Sequence, residues 1–244
     1  MTYGPVMAAA YDRGRGLRAG DVVRWMAAAG PFLPSGGGRI LDLGAGTGRF
    51  SAALARFSGA RVVACEPSAA MRARFSGAGM VGGAAEAMPF RAGVFDAVWA
   101  SQVVHHVRDL PALAAGLGRV LRPGGHLLLR GGFGPPEELP LTRYFPLAWA
   151  AGSPALLALE RIAVVLAGGG LGMVERVQVE QTFAEDAAEL VAKAASRSLS
   201  PLAGLPDPVF EQGLSQLRRD AAEGRIRGPI VERLDLVIFQ RRRN

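Results

Sequence analysis

One short segment constrains the fold of this 244-residue chain more than any other: an apolar strand runs into a loop in which every second residue is glycine. Residues 40–50 read Ile-Leu-Asp-Leu-Gly-Ala-Gly-Thr-Gly-Arg-Phe. Glycines at alternate positions let the main chain turn sharply and approach a ligand without an intervening Cβ. Free N–H groups at the start of the next helix face that ligand. The segment therefore predicts a ligand-binding strand–loop–helix unit.

Two common classes of glycine loop fit this segment poorly. A dinucleotide-binding Gly-x-Gly-x-x-Gly requires glycine at its third position, where this chain has Arg49. A phosphate loop ending in Gly-Lys-Ser/Thr is absent, because Lys193 is the only lysine. Dinucleotides and nucleoside triphosphates are thus disfavoured as ligands.

An acidic residue follows the next predicted strand. That strand, residues 61–65, ends at Glu66. In a parallel sheet this carboxylate lies at the C-terminal edge of its strand, beside the glycine loop, and can accept both hydroxyls of a ribose. The alternative is a solvated loop residue.

Apolar β-rich runs alternate with helix-like segments from residue 39 to 130, a pattern typical of βαβ units in a parallel sheet covered on both faces. Strands are predicted at residues 39–43, 61–65, 80–81, 95–100, 126–130, 172–181 and 232–241. Helices are predicted at residues 17–29, 156–166, 185–198 and 207–224.

Composition limits the classes of binding partner and the cellular compartment that we expect for this protein. Basic residues exceed acidic ones by 28 to 21, but the arginines are scattered apart from Arg241, Arg242 and Arg243, so we expect no nucleic-acid partner. Cys65 is the only cysteine, which excludes an internal disulfide. No secretory signal is visible, and the apolar stretch from Ile162 to Val174 is too short to span a membrane. We therefore expect a cytoplasmic protein without a membrane partner.

Taken together, four motifs resemble those of the class I S-adenosylmethionine-dependent methyltransferases, especially the small-molecule branch with a ubiquinone-biosynthesis-like methyltransferase domain. They are residues 42–48; Glu66; residues 85–90, Ala-Glu-Ala-Met-Pro-Phe; and Phe-Asp-Ala-Val at 95–98 with Leu-Arg-Pro-Gly-Gly at 121–125. The resemblance covers residues 39–132. It implies an α/β, Rossmann-like fold: a seven-stranded, mostly parallel sheet with helices on both faces and an added helical lid.

The same resemblance divides the chain, residues 1–244, as a single methyltransferase domain. Residues 1–38 form an N-terminal helical cover, and residues 39–132 the cofactor-binding core. The lid over the acceptor lies at 133–170 and 185–225, and the last strands at 171–184 and 230–241.

The resemblance also implies the cofactor, S-adenosylmethionine, with S-adenosylhomocysteine as its product. Its methionine portion is held by Gly44, Ala45, Gly46, Thr47 and Gly48. Asp42 orders this loop or receives the amino group indirectly, and Glu66 binds the ribose.

Further contacts follow from the resemblance. Met71 lies on the adenine unless it is ordinary core, and Ala85 and Glu86 line the adenine edge. Relatives usually carry aspartate or asparagine where this chain has Ala84, so Glu86 or water must accept from the adenine amino group.

The reactive methyl is expected at the carboxyl end of the fourth strand. Ser101 and Gln102 follow that strand and lie near the methyl group. Tyr11 and Arg15 resemble an N-terminal element that covers the cofactor and meets its carboxylate, or they form a surface turn.

Methyl transfer from a sulfonium is an in-line displacement, so the protein must mainly align the reactants and exclude water. A base helps when the acceptor is a hydroxyl, a protonated amine or a weakly acidic carbon. His105 and His106 are the candidate catalytic bases. Neighbouring residues at a helix start point about 100° apart, so we expect one ring to face the core. No metal site is expected.

The lid segments predict an apolar acceptor, such as a natural product or another hydrophobic secondary metabolite. Candidate lining residues are Phe133, Tyr144, Phe145, Trp149, Leu156 and Phe183. The acceptor atom, whether oxygen, nitrogen or carbon, stays open, as does the oligomeric state. Two alternatives remain: an RNA or protein methyltransferase, and a fold relative that uses the cofactor otherwise, as a cyclase or a binding protein.

Overall fold

A computed structural model describes residues 17–77, 79–150 and 158–243. Within them seven strands form one sheet in the order β3-β2-β1-β4-β5-β7-β6. The strands are β1 (Arg39–Leu43), β2 (Arg61–Cys65), β3 (Met80–Val81), β4 (Phe95–Ser101), β5 (Leu121–Gly131), β6 (Leu171–Ala184) and β7 (Ile230–Arg241). The pairs from β3 to β5 are parallel, whereas β7 is antiparallel to both β5 and β6. The predicted mostly parallel, Rossmann-like sheet is confirmed.

The described helices lie between and beyond these strands. They are α1 (Ala19–Ala29), α2 (Ser51–Ser58), α3 (Ala69–Arg72), α4 (Leu110–Val120), α5 (Leu159–Gly168), α6 (Ala187–Ala195), α7 (Ser200–Ala203) and α8 (Asp207–Ala222). Short 3-10 turns occupy Gly30–Phe32, Val104–His106, Pro136–Glu138 and Pro146–Trp149. None of the helices in these ranges is long and apolar enough to cross a membrane.

Alternate residues of the central strands face opposite sides of the sheet, because side chains in a strand alternate with a period of two. On one side Leu41 and Val98 join a cluster with α4 and α5. On the other, Ile40 and Trp99 join a cluster with α1 and α2. The continuous apolar runs in the sequence thus reflect a sheet buried on both faces.

The segments that the sequence predicts as a lid have an apolar cluster of their own. Phe145, Leu190 and Phe210 are buried together there, away from the two sheet layers. The buried carboxylate of Asp220 ties this unit together, since it accepts hydrogen bonds from the Tyr144 hydroxyl at 3.0 Å and from the Arg143 guanidinium at 2.7 Å. Tyr144 and Phe145, which the sequence suggested as pocket residues, belong to this lid core.

The early strand boundaries agree with the structure, whereas the later strands and several helices differ. The helices predicted at residues 156–166 and 185–198 are observed at Leu159–Gly168 and Ala187–Ala195. The first three strands have the predicted limits, and β4 is one residue longer. β5 begins five residues earlier than predicted because Leu121 already pairs with Phe95. β6 is longer at both ends than the predicted strand, since β7 pairs with it from Leu171 to Ala184.

Candidate active site

The glycine loop follows β1 and is tied to the end of β2. The N–H groups of Gly44 and Ala45 donate to the Cys65 carbonyl at 2.8 and 3.1 Å. Gly44, Gly46 and Gly48 have φ of +66°, +59° and +90°, a region that favours glycine. A Cβ on Gly44 would also lie 2.5 Å from a Val103 methyl. The loop therefore requires glycine at these positions, as the sequence predicted.

Both carboxylate oxygens of Glu66 accept hydrogen bonds from backbone N–H groups. Its Oε2 accepts from the N–H of Gly46 at 3.0 Å, and its Oε1 from the N–H of Ser68 at 2.9 Å. Burial raises the pKa of this carboxyl, although the N–H groups of Ser68 and Gly46 work in the opposite direction. A carboxylate offers about four lone-pair positions, so about two remain for a ligand.

Asp42 joins β1 to the helix after the glycine loop. Its Oδ2 accepts a 2.6 Å hydrogen bond from the Ser51 hydroxyl at the start of α2. Burial raises the pKa of Asp42 to about 7, the Ser51 hydrogen bond opposes the shift, and the nearby charge of Glu66 adds to it. Asp42 is 3% exposed, which agrees with a role in ordering the loop.

The residues proposed for the adenine edge occupy different environments. Met71 in α3 is 2% exposed and Ala85 is buried, whereas the Glu86 Oε1 accepts from the Arg108 N–H at 3.0 Å. Phe75, which the sequence did not single out, lies so close to Gly48 that a Cβ there would be 2.3 Å from its ring. The Glu86 carboxylate thus already supports the segment after the two histidines.

Ser101, Gln102 and His105 line one cavity of about 160 Å³. The cavity opens where β4 and β5 end and β7 begins, the carboxyl edge at which open α/β sheets bind ligands. Gln102 has a φ of +57°, which is uncommon for a residue other than glycine. Its N–H donates to the Arg130 carbonyl at 2.8 Å, which holds this turn against β5.

The two histidines lie side by side in the 3-10 turn. Their ring centroids are 4.0 Å apart with an interplanar angle of 49°. The expectation that one ring would face the core is wrong, since both side chains are partly exposed and in contact. His105 borders the cavity, so it is the better placed of the two candidate bases.

The rest of the cavity wall comes from several segments that are distant in sequence. Its apolar part includes Leu139, Leu141, Trp149, Leu199 and Leu234. Its charged part consists of Arg49, Arg130, Glu138, Lys193, Glu232 and Arg233. Sequence patterns missed most of these residues, because they come from segments distant in sequence that only the tertiary structure brings to one edge.

Arg130 is the most buried of these charged residues, at 4% exposure. Its guanidinium donates to the Ser101 Oγ at 3.1 Å and to the Gln181 Oε1 at 2.5 Å. It also stacks on Trp25, 4.3 Å from the ring centroid. These contacts hold one cation in a defined orientation at the cavity wall.

The other residues that the sequence predicted for the site differ in where they lie. Trp149 and Phe183 line the cavity as expected, while Phe133 lines a small neighbouring cavity that also borders Gln102 and His105. Tyr11, Arg15 and Leu156 lie outside the described residues.

Comparisons with known proteins agree with this geometry. The family profile described as a methyltransferase domain matches residues 41–129, from β1 to the end of β5. An uncharacterised methyltransferase of Mycobacterium tuberculosis is 38% identical over 125 residues, which cover 48% of this chain and 47% of that protein. A demethylmenaquinone methyltransferase of Clavibacter sepedonicus is 38% identical over 162 residues, covering 63% of this chain and 65% of that protein.

The likeness extends to a solved structure over nearly the whole chain. A methyltransferase candidate from an antibiotic biosynthesis pathway of Anabaena variabilis superposes with a TM-score of 0.71 at 25% identity, covering 89% of this chain and 96% of that one. Residues 41–129 thus match the methyltransferase domain family, and the chain as a whole resembles the class I methyltransferases in fold. The chain spans about half the length of the mycobacterial relatives that it matches.

Proposed function

We propose that this protein is a methyltransferase that transfers a methyl group from S-adenosylmethionine to a small-molecule acceptor. One observation carries the proposal: Glu66 is hydrogen-bonded to Gly46 of the glycine loop. The carboxylate at the end of β2 and the loop after β1 are thereby combined in one site, next to a cavity at the same edge of the sheet.

The residues present fit the cofactor. Glu66 retains lone pairs for two ribose hydroxyls, and the loop from Gly44 to Gly48 presents a backbone that methionine can approach closely. Asp42 keeps the loop attached to α2 through Ser51. Thr47, Met71, Ala85 and Glu86 complete the proposed cofactor contacts.

When bound, the cofactor supplies an electrophilic methyl group on a sulfonium. The chain's own contribution is to align the acceptor and exclude water. Ser101 and Gln102 place polar groups at the end of β4, and His105 can take a proton from an acceptor hydroxyl or amine at the cavity wall. The His106 ring packs against the His105 ring.

The shape of the site favours a small acceptor. The cavity has a volume of about 160 Å³, and residues of the predicted lid form part of its wall. A nucleic acid would instead need an open basic groove. The apolar wall residues, with the Anabaena relative named for antibiotic biosynthesis, support a hydrophobic secondary metabolite.

Calorimetric titration of the full chain with S-adenosylmethionine and S-adenosylhomocysteine, with NADH as a control, tests the cofactor. We expect both sulfur compounds to bind with a Kd of about 1–100 µM and NADH not to bind. A screen with cofactor labelled at the methyl group then tests transfer. Cofactor that is bound but never consumed would replace the proposal by the cyclase or binding-protein alternative.

A further inference from the structure

The charges around the cavity are unequal. Among the described lining residues, four are basic, Arg49, Arg130, Lys193 and Arg233, and two are acidic, Glu138 and Glu232. A cavity with an excess of one charge attracts ligands of the opposite charge, and the low-dielectric wall strengthens this attraction.

Lys193 is the most unusual of these residues. It is the only lysine in a chain with 28 basic residues, and it is 7% exposed. Its Nζ donates to the Phe183 carbonyl and lies 3.3 Å from the Glu189 Oε1. An ammonium group has three donors, so these two contacts leave one for a ligand.

Lys193 and Arg130 are both hydrogen-bonded to β6. Arg130 is bound to the Gln181 side chain and Lys193 to the Phe183 carbonyl. Gln181 and Phe183 lie two residues apart in this strand, and both cations line the same cavity. Their anchoring contacts hold each cation in place, which reduces the entropy lost when a ligand binds.

The cavity also has an apolar side. Leu139, Leu141, Trp149 and Leu199 contribute to its wall. A ligand that satisfies both sides has an apolar body and one anionic group.

We infer that the methyl acceptor is an apolar small molecule with a carboxylate or phosphate group, and that Lys193 and Arg130 bind this oxyanion. Lys193 is then a specificity-determining residue. A lysine suits this position because its ammonium is a compact point charge. The inference rests on the proposed function, since it names the acceptor class of the same site.

The test uses the full chain saturated with S-adenosylhomocysteine, so that the carboxylate of the cofactor is already bound. Calorimetry then compares 3-phenylpropanoate and 2-phenylethyl phosphate with the neutral 3-phenylpropanamide. We expect each anion, or at least the one whose head group is correct, to bind about tenfold more tightly than the amide. The tighter anion distinguishes carboxylate from phosphate.

Variants assign the preference to Lys193. Lys193→Met should weaken binding of the preferred anion about tenfold and leave the amide unchanged, while Lys193→Arg should keep most of the preference. Arg218→Met removes one positive charge from an exposed position of α8 and should change neither affinity.

Three outcomes overturn the inference: equal binding of amide and anions, equal weakening of all probes by Lys193→Met, or no anion binding up to about 10 mM. The comparison of probes on the unaltered protein stands even if Lys193→Met does not fold. Failure of S-adenosylhomocysteine to bind would instead refute the proposed function, so the two failures are distinguishable.

Discussion

Replacing Glu66 by alanine removes the carboxylate that we place against the cofactor ribose. In the structure this side chain is 6% exposed and accepts one backbone N–H on each oxygen. The substitution should therefore remove two proposed ribose hydrogen bonds, and it also releases the N–H groups of Gly46 and Ser68. We expect cofactor affinity to fall and the folded state to persist.

The magnitude follows from the number of hydrogen bonds. A hydrogen bond contributes a net 0.5 to 1.5 kcal/mol in typical cases, so two ribose bonds correspond to about 1 to 3 kcal/mol. This is a loss of roughly 5- to 150-fold in affinity. Release of the Gly46 N–H moves the result toward the upper end.

The assay is calorimetric titration with S-adenosylhomocysteine and with its 2′,3′-dideoxy analogue. The unaltered protein should prefer the ligand with the ribose hydroxyls, and Glu66→Ala should lose that preference. Glu211→Ala, at an exposed position of α8, is the matched control and should bind like the unaltered protein. Urea unfolding checks that each variant is folded.

Unchanged affinity of Glu66→Ala for S-adenosylhomocysteine would refute the placement of Glu66 against the ribose. An equal loss for both ligands would assign the residue to loop support through Gly46 alone.

Two further predictions concern stability and are both measured by urea unfolding. In α4, Gly118→Ala should lower the free energy of unfolding by about 1 to 3 kcal/mol relative to Gly116→Ala. A Cβ at position 118 would lie 2.1 Å from the Gly169 carbonyl oxygen, whereas a Cβ at position 116 would lie closest to the flexible end of Met88. Equal stabilities of the two variants would contradict this packing. Asp42→Asn should remove a pH dependence of the free energy of unfolding. Because the pKa of Asp42 is raised from 3.8 to about 7, the folded state keeps a proton that the unfolded state has lost. The stability of the unaltered protein therefore falls as the pH rises from about 4 to 7. The stability of the variant minus that of the unaltered protein should therefore increase between pH 5 and 8, by at most about 3 kcal/mol, and a constant difference would exclude the protonated carboxyl.

The cofactor half of the site was largely predictable because it is built from local sequence. Gly44, Gly46 and Gly48 require conformations that only glycine adopts readily, and Glu66 follows an apolar strand whose limits the sequence predicts. The buried parallel strands appear as continuous apolar runs. Strand, loop and acidic residue could thus be located before any tertiary contact was known.

Contacts between segments distant in sequence decided the acceptor side. Arg130, Gln181 and Lys193 meet at one wall only because β7 pairs antiparallel with both β5 and β6 and α6 packs beside them. Neither a charge pattern nor a periodicity encodes that register locally. The sequence by itself determined the sheet, the glycine loop and its acidic partner. The tertiary structure alone decided which charges surround the proposed acceptor site, because burial beside a cavity is a property of packed elements and not of any one segment.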